Sequence, residues 1–223
     1  AVADGGATVP FLLNACRPMG LIPLPLTVLL AAAPGIAMTV SAPSVPEQRT
    51  VPLAQEDFDA VLLQGDLPQL EQACEDSARF GVNERLQLLR DRLMEVAPAP
   101  QSFSVVMANA RALMVCKAPD SAQVVLSRYG PGPGRQRREW LLLSWRAASA
   151  ALDQRRAILA LQRLAEGDPS RLEGEQLIVG VDSEGQALTR SGLDVLAQAQ
   201  IASGQPEQAV ITLLSARTPG VAA

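Results

Sequence analysis

The chain of 223 residues contains no histidine. That absence removes the commonest general base and the commonest neutral metal ligand together, and with them Ser/His/Asp and Cys/His catalysis. Cysteine is scarce: Cys16, Cys74 and Cys116 stand alone and far apart, which is not the spacing of a zinc site. No cofactor is expected. Aromatic residues are only 3% of the chain, while the apolar 48% is mostly Ala, Leu and Val. That is enough apolar matter for a core, and small side chains let helices approach closely, which suits a helical stack better than a β-sandwich.

No strong charge of one sign is present either. A formal net charge of -4 gives no global attraction to nucleic acid. The distribution is uneven, however. Acids outnumber bases from Glu56 to Glu95, whereas nine Arg between Arg128 and Arg171 face only Glu139, Asp153, Glu166 and Asp168. The plain reading of these Arg is a set of solvated helix faces.

Long unbroken apolar runs are also missing. The run Leu21 to Met38 follows Met19 and Arg17 and precedes the polar, Pro-rich stretch Ser41 to Gln48, which is the layout of a secretory signal. Gly35 with Ala37, or Val40 with Ala42, offers a small-x-small cleavage site. Pro23, Pro25 and Pro34 interrupt the run, so a spanning anchor is the alternative reading rather than the first. Residues 1–42 are therefore read as a targeting segment with an upstream extension, disordered or removed, and 43–53 as a linker. The expected location is exported, in the periplasm or an equivalent compartment. Such a compartment permits a Cys74–Cys116 disulfide, but small buried cysteines are common in helical cores, so the pairing is the second reading and stays open.

From residue 54 the apolar spacing turns helical. Phe58, Val61 and Leu62, then Leu67, Leu70, Ala73 and Cys74, recur at three and four residues, with Gly65-Asp66 between them. Asn83 is read as the cap of the next helix, whose stripe is Leu86, Leu89 and Leu93, and Pro98-Ala99-Pro100 stops it. Helices follow over 102–115, 120–129 and 136–152, then, after a turn near Asp153, to about Glu166, broken also by Lys117-Ala118-Pro119 and by Gly130-Pro-Gly-Pro-Gly134. Glu175 to Val181 alternates with β-branched residues, Asp182 to Gly185 supplies a turn, and Gln186 to Thr189 returns. This predicts a small β-hairpin, at about 174–190, inserted between helix pairs.

The last unit reads Leu193-x2-Leu196-Ala197-x2-Gln200, Gly204, Ala209-x3-Leu213-x2-Ala216, and resembles the tetratricopeptide repeat (TPR). The preceding unit is similar with a one-residue slip, as Trp140-x2-Leu143-Ser144-x2-Ala147, then Ala157-x3-Leu161, then Pro169. An earlier unit keeps Ala110, Leu113, Ala122 and Leu126. Ala122 and Ala157 lie 35 residues apart and Ala157 and Ala209 lie 52 apart, the excess matching the inserted hairpin. The resemblance implies an all-α, TPR-like stack of antiparallel helix pairs, a short α-solenoid: 54–97 as degenerate helical repeats, then 98–223 as TPR-like repeats with an insertion at 172–190.

Such stacks hold peptides on the face lined by the first helix of each pair. The resemblance puts Met107, Arg111 and Met114, then Arg138 and Trp145, then Gln198 on that face. The partner-binding groove expected is Arg111, Arg138, Trp145 and Gln198, suited to an acidic peptide or a terminal carboxylate. The Gly-Pro loop at 130–134 lacks the Lys and Ser/Thr of a phosphate loop. Glu71 with Glu75 and Glu56 with Asp59 read as surface charge. The function expected is a non-catalytic exported scaffold for a protein or peptide partner, with no nucleic-acid ligand, no evident small-molecule substrate, and membrane contact only through an uncleaved N-terminal segment. Its alternative is a regulatory or substrate-recruiting helical domain of a larger enzyme.

Overall fold

The computed structural model describes residues 50–96 and 100–218, all of them in the unit Gln48–Ala223. The targeting segment, its cleavage sites, Cys16, most of the linker and Pro98-Ala99 lie outside the described residues.

Among the described residues the chain is mainly helical, with one two-stranded antiparallel hairpin. Helix α1 is Gln55–Gln64, α2 Leu67–Arg79, α3 Asn83–Glu95, α4 Phe103–Val115 and α5 Pro119–Leu126. Helix α6 is Arg135–Ala150 and α7 Gln154–Leu164; β1 (Gln176–Val181) and β2 (Ala187–Ser191) precede α8 (Gly192–Ala202) and α9 (Pro206–Leu214). No described helix is long and apolar enough to cross a membrane.

Helix starts follow local chemistry. Asp66 and Gln69 form a reciprocal capping box at α2, Asp66 accepting from the Gln69 N–H at 3.0 Å and Gln69 from the Asp66 N–H at 2.9 Å. Asp153 accepts from the Arg156 N–H at the start of α7, and Pro119 and Pro206 occupy first-turn positions where no N–H is needed. Asn83 does not cap α3: Val82 holds the cap position, and no side chain bonds there.

Four turns between helices share one geometry. The central residues Gly81, Lys117, Leu152 and Gly204 all have positive φ, at 69°, 56°, 59° and 79°. In each, the next N–H reaches back five residues: Val82 to the Ser77 carbonyl, Ala118 to Leu113, Asp153 to Ala148 and Gln205 to Gln200, at 2.8 to 2.9 Å. This is the Schellman closure, which satisfies carbonyls left free at a helix end and folds the following helix back on the preceding one. The pairs α2/α3, α4/α5, α6/α7 and α8/α9 pack accordingly, and α5 then packs on α6 and α7 on α8. Helix α1 adds a single helix before the first pair.

The four turn residues serve as a ruler. Eleven, seven and four residues before each of them stand buried side chains: Leu70, Cys74 and Ser77; Val106, Ala110 and Leu113; Leu141, Trp145 and Ala148; Leu193, Ala197 and Gln200. Five residues after each stand Leu86, Ala122, Ala157 and Ala209, also buried. The one-residue slip expected in the third pair is thereby corrected: Leu141, not Trp140, matches Leu193, and the large Trp145 occupies the position that Cys74, Ala110 and Ala197 fill elsewhere.

Helix α6 divides the interior. Leu143 and Ala147 belong to a cluster with α1 to α5, while Trp145 and Ala148 belong to another with α7, Leu172, Leu177 and α8. In the first cluster Cys74 of α2 is disulfide-bonded to Cys116, just past α4, with the Cα atoms 4.8 Å apart. The hairpin falls where the sequence placed it. Its turn is held by Asp182, whose Oδ1 accepts from the N–H of Glu184 and of Gln186. Gly192 opens α8 at a tight joint: a Cβ there would lie 3.1 Å from the Leu172 carbonyl and 3.2 Å from its Cβ.

Candidate functional site

Measured from the turns, the sixth residue before each turn residue is Glu75, Arg111, Arg146 and Gln198, and all four are exposed. They occupy the same position on the first helix of each pair. Helices α2 and α4 pack on one another, as do α4 and α6, so Glu75, Arg111 and Arg146 belong to adjoining helices; α8 reaches the rest through α7. Glu71 lies one turn before Glu75. Its carboxyl is held above the usual carboxylate range by partial burial and then by the neighbouring charge of Glu75, against a lowering by Arg111. The row therefore runs from acidic on α2 to basic on α4 and α6.

Two of the groove residues read from the sequence, Arg111 and Gln198, fall on this row. Arg138 is exposed but lies two turns earlier on α6, where its guanidinium donates to a Glu175 carboxylate oxygen at 2.6 Å, beside the inserted segment. Trp145 is corrected outright. It is 4% exposed and packs inside the second core, with its indole N–H facing no acceptor among the described residues. Met107 is likewise buried, and Met114 half-buried against the first core. The four expected residues do not line one cleft.

Arg146 is the residue that sequence reasoning missed. The slip in the third pair hid it, because the turn that fixes the register is centred on Leu152, a residue with no sequence signature for positive φ. Gly81 and Gly204 were visible signals. Aligning the chain on them and on the helix-start residues Pro119 and Asp153 is the step that finds Arg146.

A second polar cluster ties the segment before the hairpin to the chain beyond α9. Glu173 accepts from the N–H of Arg217 and of Thr218, each at 2.9 Å, and the Arg217 guanidinium donates to Asp168 at 2.9 Å. Asp168 also accepts from the Ser170 hydroxyl at 2.6 Å. Both carboxyls are held below their usual range: Asp168 mainly by the Ser170 hydroxyl, Glu173 mainly by Thr218 and then the Arg217 N–H. Nothing in this cluster has the vacant, convergent geometry of a catalytic pair. Among the described residues no group of His, Cys, Asp and Glu could hold a metal ion.

No protein-family model matches the chain, and neither a curated protein nor a solved structure does.

Proposed function

We propose that this chain is an exported, non-catalytic helical-repeat module of the TPR-like class that docks a protein or peptide partner through the row Glu75, Arg111, Arg146 and Gln198, in the assembly of envelope or membrane complexes. The observation that carries the reading is the recurrence of one turn, four times, with the same buried positions before and after it and the same exposed position on each first helix. Helix pairs built alike and stacked in order repeat any exposed position along the stack, and an extended ligand reads such a row. Arg111 and Arg146 form no ion pair with any described residue, so both guanidinium forks are free for carboxylates. The partner segment is therefore acidic where it meets α4 and α6.

The export part of the reading draws its support from the Cys74–Cys116 bond, since reducing compartments keep thiols reduced.

The test is capture of a partner by the purified full chain from an extract of its native envelope. One dominant partner, retained by Arg155→Glu but lost with Arg111→Glu and Arg146→Glu together, supports the docking row. Equal capture by all three forms contradicts it.

A further inference from the structure

The sequence reading leaves the basic middle of the chain as solvated helix faces, and the docking row uses only Arg146 of it. The remaining Arg do not spread evenly. A cavity of about 350 Å³ lies where the start of α6 meets the end of α7, lined by Arg135, Arg137, Arg138, Arg163 and Arg171 against only Glu166 and Glu175. Three of these Arg are spoken for. Arg135 pairs with Glu139, Arg138 with Glu175, and Arg171 with Glu166. Arg137 and Arg163 form no ion pair or side-chain hydrogen bond with any described residue, and a further recess beside them is again lined by both. Two unmatched guanidinium groups thus share one concavity. Pro131 and Pro133 leave the preceding loop short of backbone donors, so recognition of an anion there falls to side chains.

The cavity is not isolated. A second one, of about 470 Å³, shares Leu141 and Arg163 with it and runs over α6 between α5 and α7. Its apolar walls are Val124, Tyr129, Trp140, Leu141 and Leu159. Val124 and Leu159 are about half exposed, at 50% and 45%, so apolar surface is open to solvent along both sides. Arg156 also lines it, its guanidinium donating to the Gln123 side-chain oxygen at 2.8 Å and joining α7 to α5. The indole N–H of Trp140 donates to the Leu126 carbonyl, which holds that ring as a fixed wall.

We infer that the two adjoining cavities together form a binding site for a single-chain amphiphilic carboxylate, with its alkyl chain along Val124, Trp140 and Leu159 and its head between Arg137 and Arg163. The two volumes are those of a small-molecule pocket. An apolar trough ending in unmatched guanidinium forks is complementary to a ligand apolar along its length and anionic at one end. A polar peptide strand would leave its backbone groups unpaired along the apolar walls, which disfavours it here. The site is separate from the docking row, so the two readings stand or fall independently.

The experiment is a tryptophan-fluorescence titration of the full chain carrying Trp145→Phe, which leaves Trp140 as the sole reporter and removes an indole N–H that has no described partner. Decanoate is expected to bind saturably and to shift the Trp140 emission. Arg137→Glu with Arg163→Glu is expected to weaken it at least tenfold, and Leu159→Asp to abolish it, with helical circular dichroism unchanged in each. Decanol binding as well as decanoate would overturn the assignment of the head site, and phosphate or acetate binding as well as decanoate would overturn the assignment of the trough. Absence of saturable decanoate binding to the folded protein would overturn both.

Discussion

The two sides of α6 are built on the same turn but closed by different means. Before it, α1 to α5 enclose a core in which Cys74–Cys116 covalently joins α2 to the end of α4. Arg90 reinforces that corner by donating to the Cys116 carbonyl at 2.8 Å. The Asn109 side chain, fully buried, donates to the Leu93 carbonyl at 2.9 Å. After α6, no disulfide is present among the described residues. The large Trp145 shares a buried cluster with the small Ala157 and Ala160, a buried hydrogen bond runs from Thr212 to Gln200, and Asp168, Glu173 and Arg217 tie the segment before the hairpin to the chain beyond α9. The first side is held by a cross-link and the second by one large side chain and surface charge. Redox conditions should therefore act on the first side, and loss of stability in acid should arise on the second.

The sharpest way to break the second side is Trp145→Ala. Removing a buried indole leaves a cavity, and the expected loss of stability is about 3 to 5 kcal/mol, measured by urea unfolding. The same substitution is expected to leave docking intact in the protein that remains folded. Next in size is the cross-link. Replacing Cys74 and Cys116 together by Ala is expected to cost about 2 to 4 kcal/mol, since the bond closes a sequence separation of 42 residues in the unfolded chain. A reductant should lower the unfolding midpoint of the parent protein and leave that of the double variant unchanged.

Smaller effects test whether the four turns are equivalent. Leu152 is 80% exposed with φ of 59°, so Leu152→Gly relieves left-handed strain at little cost in burial. A gain of up to about 1 kcal/mol is expected. Gly204→Ala places a Cβ at φ of 79° and is expected to lose about 1 kcal/mol. Opposite signs at matched positions are the signature of one shared turn.

The smallest expected effect is that of acid. Asp168 and Glu173 have folded values below their ordinary ones, so the unfolded chain binds more protons. Their stabilisation is present above the ordinary carboxylate range and is lost as the pH falls through it towards the lowered values. Glu71 works in the opposite sense: its value is raised, so its ionisation costs stability as the pH rises through that raised value, and acid relieves the cost. Glu173→Gln is expected to reduce the loss of stability between pH 7 and about pH 3, whereas Glu71→Gln is expected to enlarge it relative to the parent. Unfolding midpoints at the two pH values measure both.

The helices and the hairpin were legible because their signals are local: apolar stripes, the breaks at Gly65-Asp66 and Lys117-Ala118-Pro119, Gly204, and Asp182 to Gly185 at a turn. The register of the third pair was not. Helix α6 buries Leu141, Leu143, Trp145, Ala147 and Ala148, on two faces at once, so it carries no single stripe from which a face can be read. Its turn is centred on Leu152, whose conformation is imposed by the hydrogen bonds around it rather than chosen by its side chain. The Cys74–Cys116 pairing was open for another reason, since only the packing of α2 against α4 brings the two sulfurs together. Of the expected groove residues, Arg111 and Gln198 are exposed on α4 and α8, while Trp145 was drawn outward by the slipped register.

The most direct test of the docking row is the affinity of the captured partner, measured by calorimetry for the parent and for Arg111→Glu, Arg146→Glu, Gln198→Glu and Arg155→Glu singly. The account predicts at least a tenfold weakening at Arg111 and Arg146, a lesser one at Gln198 and none at Arg155. Undiminished affinity at Arg111 and Arg146, or an equal loss at Arg155, would contradict it.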